Sequence, residues 1–281
     1  MALDGPELDE ALAIAREVVG EAAVLLRDAH AAGDRVEPVG FKSTTRDLVT
    51  AWDTRIEDLM RERLSRRFPG VPIVGEERGL GPGSMPGPGA EPALRWLIDP
   101  VDGTVNFSHG LPLFGVAASL EEGGRPVVAV VAAPALGWEA WARRGGGAFA
   151  EHGRRLAVSA VDALERALVA TGFPYDRATS HKNFAEWEHF QSVAGACRRL
   201  GAASLDLVMV ARGWLDGYWE SDIEAWDLSA GALLVAEAGG RVTDVTGGPF
   251  VSDTGRALAT NGAIHKEMLD ELARVRAQRG T

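Results

Sequence analysis

The sequence predicts a mixed α/β or α+β fold, and three observations indicate this class. Apolar residues recur at helical spacing near the amino terminus. Short apolar runs separated by glycine and proline fill the middle of the chain. Strand-like and helix-like segments alternate in the last third. The chain shows no internal repeat and no coiled-coil heptad.

The first third of the chain contains two predicted helices and one predicted strand. Residues 7–31 form a helix because apolar side chains recur there every three to four positions. A second helix ends near Phe68, and Asp53 is expected at its N-cap, a position that favours aspartate. Residues 71–77 are a short apolar strand that ends in two glutamates.

The middle of the chain is predicted to be a loop insertion followed by an antiparallel meander. Residues 80–93 are too rich in proline and glycine for a packed element, which predicts a flexible surface insertion. Short β-like runs separated by glycine and proline then predict the meander. These runs span 114–120, 127–133, 137–143 and 155–159.

Strands and helices follow one another in the last third. The predicted strands span 168–171 and 217–220. The predicted helices span 181–200, 202–212, 227–238 and 264–278.

Bulk composition bounds the function. The 281 residues are 46% hydrophobic and 25% charged, and no apolar run approaches the roughly 18 residues that span a bilayer. The amino terminus lacks a secretory pattern, and Cys197 is the one cysteine, so a cytoplasmic location is expected. The net charge of −11 opposes binding to nucleic acid or to anionic lipid.

Residues 96–107 are the most informative segment. They read Trp-Leu-Ile-Asp-Pro-Val-Asp-Gly-Thr-Val-Asn-Phe, an apolar strand followed by two carboxylates and a turn. Pro100 favours an extended backbone at Asp99, and Asp102-Gly103 is a turn signal, so both acids are expected at the exit of a strand. The pattern indicates a metal site beside a phosphate site.

Two further acids lie at the ends of predicted elements. Glu76 follows the strand 71–75, and Asp227 opens a helix. Two carboxylates about 4 Å apart repel by roughly 4 kcal/mol at an effective dielectric of 20, so a cluster of these acids requires divalent cations. A site whose ligands are all oxygen atoms favours Mg²⁺, with Mn²⁺ as the alternative. Two such ions can polarise a phosphoryl group and acidify a water.

Three segments together resemble the signatures of the inositol monophosphatase family. They are Gly-Glu-Glu at 75–77, Asp-Pro-Val-Asp-Gly-Thr-Val-Asn-Phe at 99–107, and Trp-Asp at 226–227 with Glu-Ala-Gly-Gly at 237–240. Their order and spacing also fit, and the likeness covers nearly the whole chain. The resemblance implies a layered α-β-α-β-α sandwich of the inositol monophosphatase and fructose-1,6-bisphosphatase type. It also implies one catalytic unit over 1–281, with a metal-site half at about 1–160 and a substrate-site half at about 161–281.

The resemblance also implies roles for individual residues. Two or three Mg²⁺ ions would be bound by acidic side chains and one backbone carbonyl. These ligands would be Glu76, Asp99, Val101, Asp102 and Asp227. The catalytic group would be Asp53, Thr104 and Glu76, in which the Thr104 hydroxyl and Asp53 orient the attacking water.

Substrate contacts are implied for a third set of residues. Asp102, Gly103, Thr104 and Asp227 would contact the phosphate ester, and Gly201, Ala202, Ala203 and Glu220 would contact inositol hydroxyls. The sequence departs from the family pattern at Ala202, which lacks the usual hydroxyl, and at Trp52, where a smaller residue is common. Both departures bear on specificity, since neither touches the proposed metal ligands.

The implied function is Mg²⁺-dependent hydrolysis of inositol monophosphate, or of a similar small polyol or sugar phosphate, by a lithium-sensitive homodimer. Alternatives on the same fold are phosphatases of fructose 1,6-bisphosphate, 3′-phosphoadenosine 5′-phosphate or histidinol phosphate. A non-catalytic module that binds metal and phosphate is the alternative from another class. Taken singly, Asp53 and Asp227 also fit helix N-caps, and Lys42 fits either a phosphate contact or an ordinary loop lysine.

Overall fold

The computed structural model describes residues 3–33, 36–42, 48–80, 94–174 and 183–279. Its helices, within these residues, are α1 (Gly5–Ala31), α2 (Ala51–Arg67), α3 (Thr104–Ser108), α4 (Phe184–Val193), α5 (Ala203–Ala211), α6 (Ala225–Glu237) and α7 (His265–Arg279). No helix of the described part is both long enough and apolar enough to cross a bilayer.

The strands form a small hairpin and two larger sheets. The hairpin pairs β1 (Gly40–Phe41) with β2 (Leu48–Val49). The larger sheet contains β3 (Ile73–Gly75), β4 (Gly79–Leu80), β5 (Leu94–Asp102), β6 (Gly115–Glu122), β7 (Arg125–Ala133), β8 (Trp138–Arg143), β9 (Gly147–Ala150) and β10 (Arg154–Arg155). The smaller sheet contains β11 (Leu168–Thr171), β12 (Ala196–Arg198), β13 (Gly217–Ser221), β14 (Arg241–Thr243) and β15 (Arg256–Thr260).

The predicted meander is the centre of the larger sheet. Its spatial order is β10-β9-β8-β7-β6-β5-β3-β4, and neighbours from β5 to β10 are antiparallel. The smaller sheet has the order β12-β11-β13-β15-β14, in which β11 is parallel to both of its neighbours.

Side-chain alternation in the strands explains the layers. In β6, Val116 and Ala118 pack with α1 and α2 on one face, while Ala117 packs with α5 and α6 on the other. In β13, Tyr218 packs with α5 and α6, whereas Trp219 packs with α4 and α7. The predicted α-β-α-β-α sandwich is therefore confirmed, with α5 and α6 between the two sheets.

The prediction for residues 181–200 is wrong in its second half. Helix α4 ends at Val193, and Ala196–Arg198 is a strand parallel to β11, so Cys197 lies in a strand and not in a helix. The chain enters this strand at Gly195, where a Cβ atom would lie 2.9 Å from the Arg166 backbone. Sheet pairing between distant segments overrides the local helical pattern here.

Other boundaries also differ from the prediction. Strand pairing stops at Arg155, whereas the run 155–159 was predicted as a strand, and the strands 147–150, 241–243 and 256–260 were not predicted. Residues 81–93 of the predicted insertion lie outside the described residues.

Helices α5 and α6 pack closely at Gly231. A Cβ atom at this position would lie 2.4 Å from the Cβ of Leu207, which is far inside van der Waals contact. Both helices present their first turns to the candidate site. The glycine is therefore required by close helix packing and not by its backbone conformation.

We expect Gly231→Ala to lower the free energy of unfolding by about 1–3 kcal/mol, because the added methyl overpacks the interface. Gly20→Ala is the matched control, since Gly20 is an exposed position of α1 with nothing within 4 Å of an added Cβ. The control should be stabilised by about 0.5–1 kcal/mol. Urea unfolding measures both values, and a Gly231→Ala protein as stable as the parent would contradict the close packing of α5 and α6.

Candidate active site

Three predicted acids converge at one end of β5. Asp99 and Asp102 are 1% and 6% exposed, and one carboxylate oxygen from each lies within 4.8 Å of the others and of one from Asp227. Strand β5 runs to Asp102, so Asp99 lies inside the strand and not at its exit as predicted. The β5–β6 register shifts between these two acids, and such an irregularity turns both side chains toward one side.

Asp53 is not the helix N-cap that the sequence predicts, and Asp227, which also fits an N-cap when taken singly, is not one either. The N-caps are Thr50 and Glu224, and both aspartates occupy the third helical position of a capping box. Asp53 Oδ2 accepts from the Thr50 backbone N at 2.8 Å, and Asp227 Oδ2 accepts from the Glu224 backbone N at 3.1 Å. The capping box uses one oxygen of each carboxylate and leaves the other to face the site.

The predicted pair of Asp53 and Thr104 is present. Thr104 Oγ1 lies 2.9 Å from Asp53 Oδ1 and 2.9 Å from the carbonyl oxygen of Val101. Gly103 precedes the threonine with φ of +84°, and an added Cβ there would lie 3.0 Å from the Leu113 carbonyl oxygen. Only glycine fits this turn, so the Gly-Thr sequence fixes the direction of the hydroxyl.

Glu76 is ion-paired with a lysine. Lys42 Nζ lies 2.5 Å from Oε1 of Glu76 and 2.5 Å from Oε1 of Glu77. Glu76 is outside the tight group of Asp99, Asp102 and Asp227, although it lines the same cavity. Burial raises the pKa of Glu76 to about 7, against the opposing charge of Lys42.

The charged form of Asp99 is also destabilised. Burial raises the pKa of Asp99 well above its ordinary value, and the charges of Glu76, Asp102 and Asp227 raise it further. Asp99 Oδ1 accepts from the Val101 backbone N at 3.0 Å, whereas its Oδ2 is buried without a hydrogen-bond partner among the described residues. A buried acceptor without a donor is a position at which a cation fits.

Asp102 is bound by the first turn of α5. Its carboxylate accepts from the backbone N of Ala203 at 3.1 Å and of Ser204 at 2.8 Å, and from Ser204 Oγ at 2.5 Å. Ala202 is the N-cap of this helix and offers no side-chain bond, so Asp102 supplies the cap from a distant strand. This explains why the hydroxyl usual at residue 202 is dispensable for the helix.

Ser204 was not predicted from the sequence. The signal that could have found it is a serine in the first turn of a helix whose own N-cap residue is alanine. Gly201 precedes this turn with φ of +90°, in the left-handed region that favours glycine.

The acids line one side of a cavity of about 460 Å³ that also contains Glu220. Tyr218 donates its hydroxyl to Glu220 Oε2, and an added Cβ on Gly172 would lie 2.2 Å from the Glu220 oxygens. Burial raises the pKa of Glu220 to about 7, against the hydrogen bond from Tyr218 and the charge of Arg199. The sequence predicts a role for Glu220 but none for Tyr218, Gly172 or Arg199, and the last two are distant from Glu220 in the chain.

Asp206 is another cavity residue that the sequence did not predict. It is 2% exposed and lies one turn into α5. Burial raises the pKa of its carboxyl well above the ordinary value, and the charge of Glu220 adds to this effect. Asp206 and Glu220 therefore add two further acids to the lining of the cavity.

The donor set fits a hard divalent cation. All the clustered side chains offer oxygen, and Asp99 Oδ2 has no donor. Lys42 already supplies a positive charge to Glu76 and Glu77. The group therefore matches Mg²⁺ or Mn²⁺ better than zinc, which favours nitrogen and sulfur ligands.

Comparison with known proteins agrees with this geometry. The sequence profile of the inositol monophosphatase family matches residues 7–280. The chain belongs to this family. An inositol-1-monophosphatase from Mesorhizobium japonicum is 40% identical over 224 residues, covering 79% of this chain and 82% of the relative. Family membership confirms the predicted fold and makes this chain an enzyme of the phosphatase class.

Two other relatives match most of this chain. The protein named Nus factor SuhB from Pseudomonas aeruginosa is 40% identical over 262 residues, covering 88% of this chain and 93% of that protein. The solved structure of an inositol monophosphatase from Anabaena (Nostoc) superposes with a TM-score of 0.82 at 34% identity, covering 95% and 96% of the two chains.

The raised pKa of Glu220 predicts a pH-dependent stability. The ordinary pKa of this carboxyl is 4.5, and its pKa in the folded protein is about 7. Between these two pH values, Glu220 keeps its proton in the folded protein but has lost it in the unfolded chain. Stability therefore falls as the pH rises through this window and stays lower above it. Glu220→Gln does not ionise, so we expect it to be more stable than the parent at pH 8, by on the order of 1–3 kcal/mol.

Denaturant unfolding in EDTA at pH 5 and at pH 8 measures this difference, and the gain should shrink at pH 5. The charge of Glu220 also raises the pKa of Asp206 and of Asp227, so its removal in the variant relaxes both groups and adds to the gain at pH 8. An equal difference at the two pH values would contradict the assignment to Glu220.

Proposed function

We propose that the protein is a Mg²⁺-dependent phosphomonoesterase that hydrolyses inositol monophosphate, or a similar small polyol or sugar phosphate, to the alcohol and inorganic phosphate. The observation that carries the proposal is the convergence of Asp99, Asp102 and Asp227 within 4.8 Å beside the hydrogen-bonded pair of Asp53 and Thr104. A metal centre can polarise a phosphate ester, and a hydroxyl–carboxylate pair beside it can orient an attacking water.

The proposed metal ligands are the four acids and one carbonyl that the resemblance implies, holding two or three Mg²⁺ ions, with Mn²⁺ as a substitute. They are Glu76, Asp99, Val101, Asp102 and Asp227. When bound, the ions supply Lewis-acid polarisation and neutralise the charge of the phosphate ester. The Val101 carbonyl lies 2.9 Å from Thr104 Oγ1, so the metal centre and the hydroxyl share one backbone turn.

Asp53 and Thr104 are proposed to orient the attacking water. The Thr104 hydroxyl donates to Asp53 Oδ1, so its lone pairs are free to accept a hydrogen bond from a water in the cavity. Two bonds from Thr50 keep Asp53 Oδ2 in place, so the carboxylate acts as an acceptor with a fixed direction. The same pair argues for catalysis over a non-catalytic binding module, which needs no such arrangement.

Substrate binding is proposed to use both walls of the cavity. Asp102, Gly103, Thr104 and Asp227 would contact the phosphate ester, and Glu220 with residues 201–203 would contact the hydroxyls of the alcohol. The Tyr218 hydroxyl occupies Glu220 Oε2, which leaves Oε1 to accept from the substrate. The names of the relatives as inositol-1-monophosphatases favour inositol phosphate over the other sugar phosphates.

The proposal extends to the organisation of the molecule. Residues 1–281 would act as one catalytic unit, with the metal-site half at about 1–160 and the substrate-site half at about 161–281. A cytoplasmic homodimer is the assembly that the resemblance implies.

Release of phosphate from myo-inositol 1-phosphate tests the proposal directly. We expect activity that requires Mg²⁺, disappears on chelation and is inhibited by Li⁺. Asp227→Asn should lower kcat/KM by at least about 100-fold, because it removes a charged ligand from the cluster.

Asp270→Asn is the matched control for this experiment. It makes the same charge change at an exposed position of α7, where Asp270 pairs with Lys266, and it should keep full activity. Turnover that survives chelation, or an Asp227→Asn enzyme as active as the control, would refute the metal site.

A further inference from the structure

We propose that Glu57 is a positioning residue for the metal ligand Glu76, acting through the backbone of the turn at 76–78; this inference rests on the proposed function. Glu57 is 0% exposed and lies on α2, away from the acids that line the cavity. Its carboxylate accepts from the backbone N of Glu77 at 2.6 Å and of Arg78 at 3.0 Å. It therefore binds the turn from which the Glu76 side chain extends.

Arg61 binds the same turn, and together with Glu57 it forms what we call the anchor. Its Nε lies 2.7 Å from Glu57 Oε1, while its Nη1 and Nη2 donate to the carbonyl oxygens of Ile73 at 2.8 Å and Gly79 at 2.5 Å. These two carbonyls belong to β3 and β4, the strands on either side of the turn. The buried charge of Glu57 is thus compensated by hydrogen bonds from the segment that it positions.

Gly75 shows how closely the anchor fits. A Cβ atom at this position would lie 2.7 Å from the Glu57 carboxylate, so any side chain would displace it. Glycine directly before Glu76 is therefore explained by the approach of Glu57. The Gly-Glu-Glu sequence combines a metal ligand with the space that its anchor needs.

Helix α2 connects the anchor to the water-orienting pair. Asp53, Glu57 and Arg61 are spaced by four residues, which places them on one face of the helix, about 6 Å apart along its axis. Asp53 bonds to Thr104, and Glu57 bonds to the turn of Glu76. One rigid helix thus sets the distance between the attacking water and one proposed metal ligand.

A positioning role and a purely structural role lead to different measurements. A residue that only anchors the β3–β4 turn affects stability. A residue that aims Glu76 also affects the binding of the metal, because groups behind a ligand typically change metal affinity 10- to 100-fold.

The test is the variant Glu57→Gln in the full chain. Calorimetry without substrate measures its Mg²⁺ binding, and thermal unfolding in EDTA measures its stability. Glutamine keeps the size of the side chain, but its amide opposes one of the backbone N–H donors. We expect the dissociation constant for Mg²⁺ to rise by about 10- to 100-fold. Activity should recover at saturating Mg²⁺, because the bond between Asp53 and Thr104 is untouched.

Glu151→Gln is the matched control. Glu151 also accepts from a backbone N–H, that of Glu139 at 2.8 Å, and from the guanidinium of Arg212, at a place away from the cavity. Glu151→Gln makes the same charge change, so it should lose stability while keeping the Mg²⁺ affinity of the parent.

Arg61→Lys is a second variant, to be used if Glu57→Gln fails to fold. It should also weaken Mg²⁺ binding.

Unchanged Mg²⁺ affinity in Glu57→Gln, or in Arg61→Lys if the first variant does not fold, would overturn the inference. The proposed function would survive that result, since the parent protein would still bind Mg²⁺ and release phosphate. A parent protein that binds no Mg²⁺ would overturn both.

Discussion

The mutual repulsion of buried carboxylates is the constraint on which the site depends. The fold brings the buried Asp99 and Asp102 together with the half-buried Asp227, and like charges in such a site repel by several kcal/mol per pair. Part of this cost is offset locally, since the amides of α5 bind Asp102 and the Lys42 ammonium binds Glu76. Asp99 Oδ2 has no such partner among the described residues. A divalent cation is the group that completes the charge balance, and this requirement connects the fold to its proposed chemistry.

The first turns of three helices organise these acids. Asp53 bonds to the start of α2, Asp227 to the start of α6, and Asp102 reaches from β5 to the start of α5. The free N–H groups and the positive end of each helix dipole favour a carboxylate at that position. Packing then fixes the helices, with α5 and α6 in contact at Gly231 between the two sheets. The layered architecture therefore brings helix amino termini, and with them the acids, to one cavity.

The sequence predicted the parts of the site that lie in contiguous motifs. Asp99, Asp102, Thr104 and the fold class were accessible because strand, turn and helix signals follow one another directly. The starts of α2 and α6 were placed too late in the chain, at Asp53 and Asp227, because the N-caps Thr50 and Glu224 were not recognised. Ser204 and Glu57 were missed because each acts on groups distant in the chain, at separations of 102 and 20 residues. Strand β12 was missed for the same reason, because its pairing with β11 is not a local property.

Diffraction from crystals grown with Mn²⁺ would locate the metal centre, because this ion scatters anomalously and takes the same oxygen ligands as Mg²⁺. We expect an anomalous peak within coordinating distance of Asp99, Asp102 and Asp227, with Asp99 Oδ2 among the ligands. If crystals at a saturating concentration of Mn²⁺ showed no peak between these carboxylates, the proposed metal centre would be wrong.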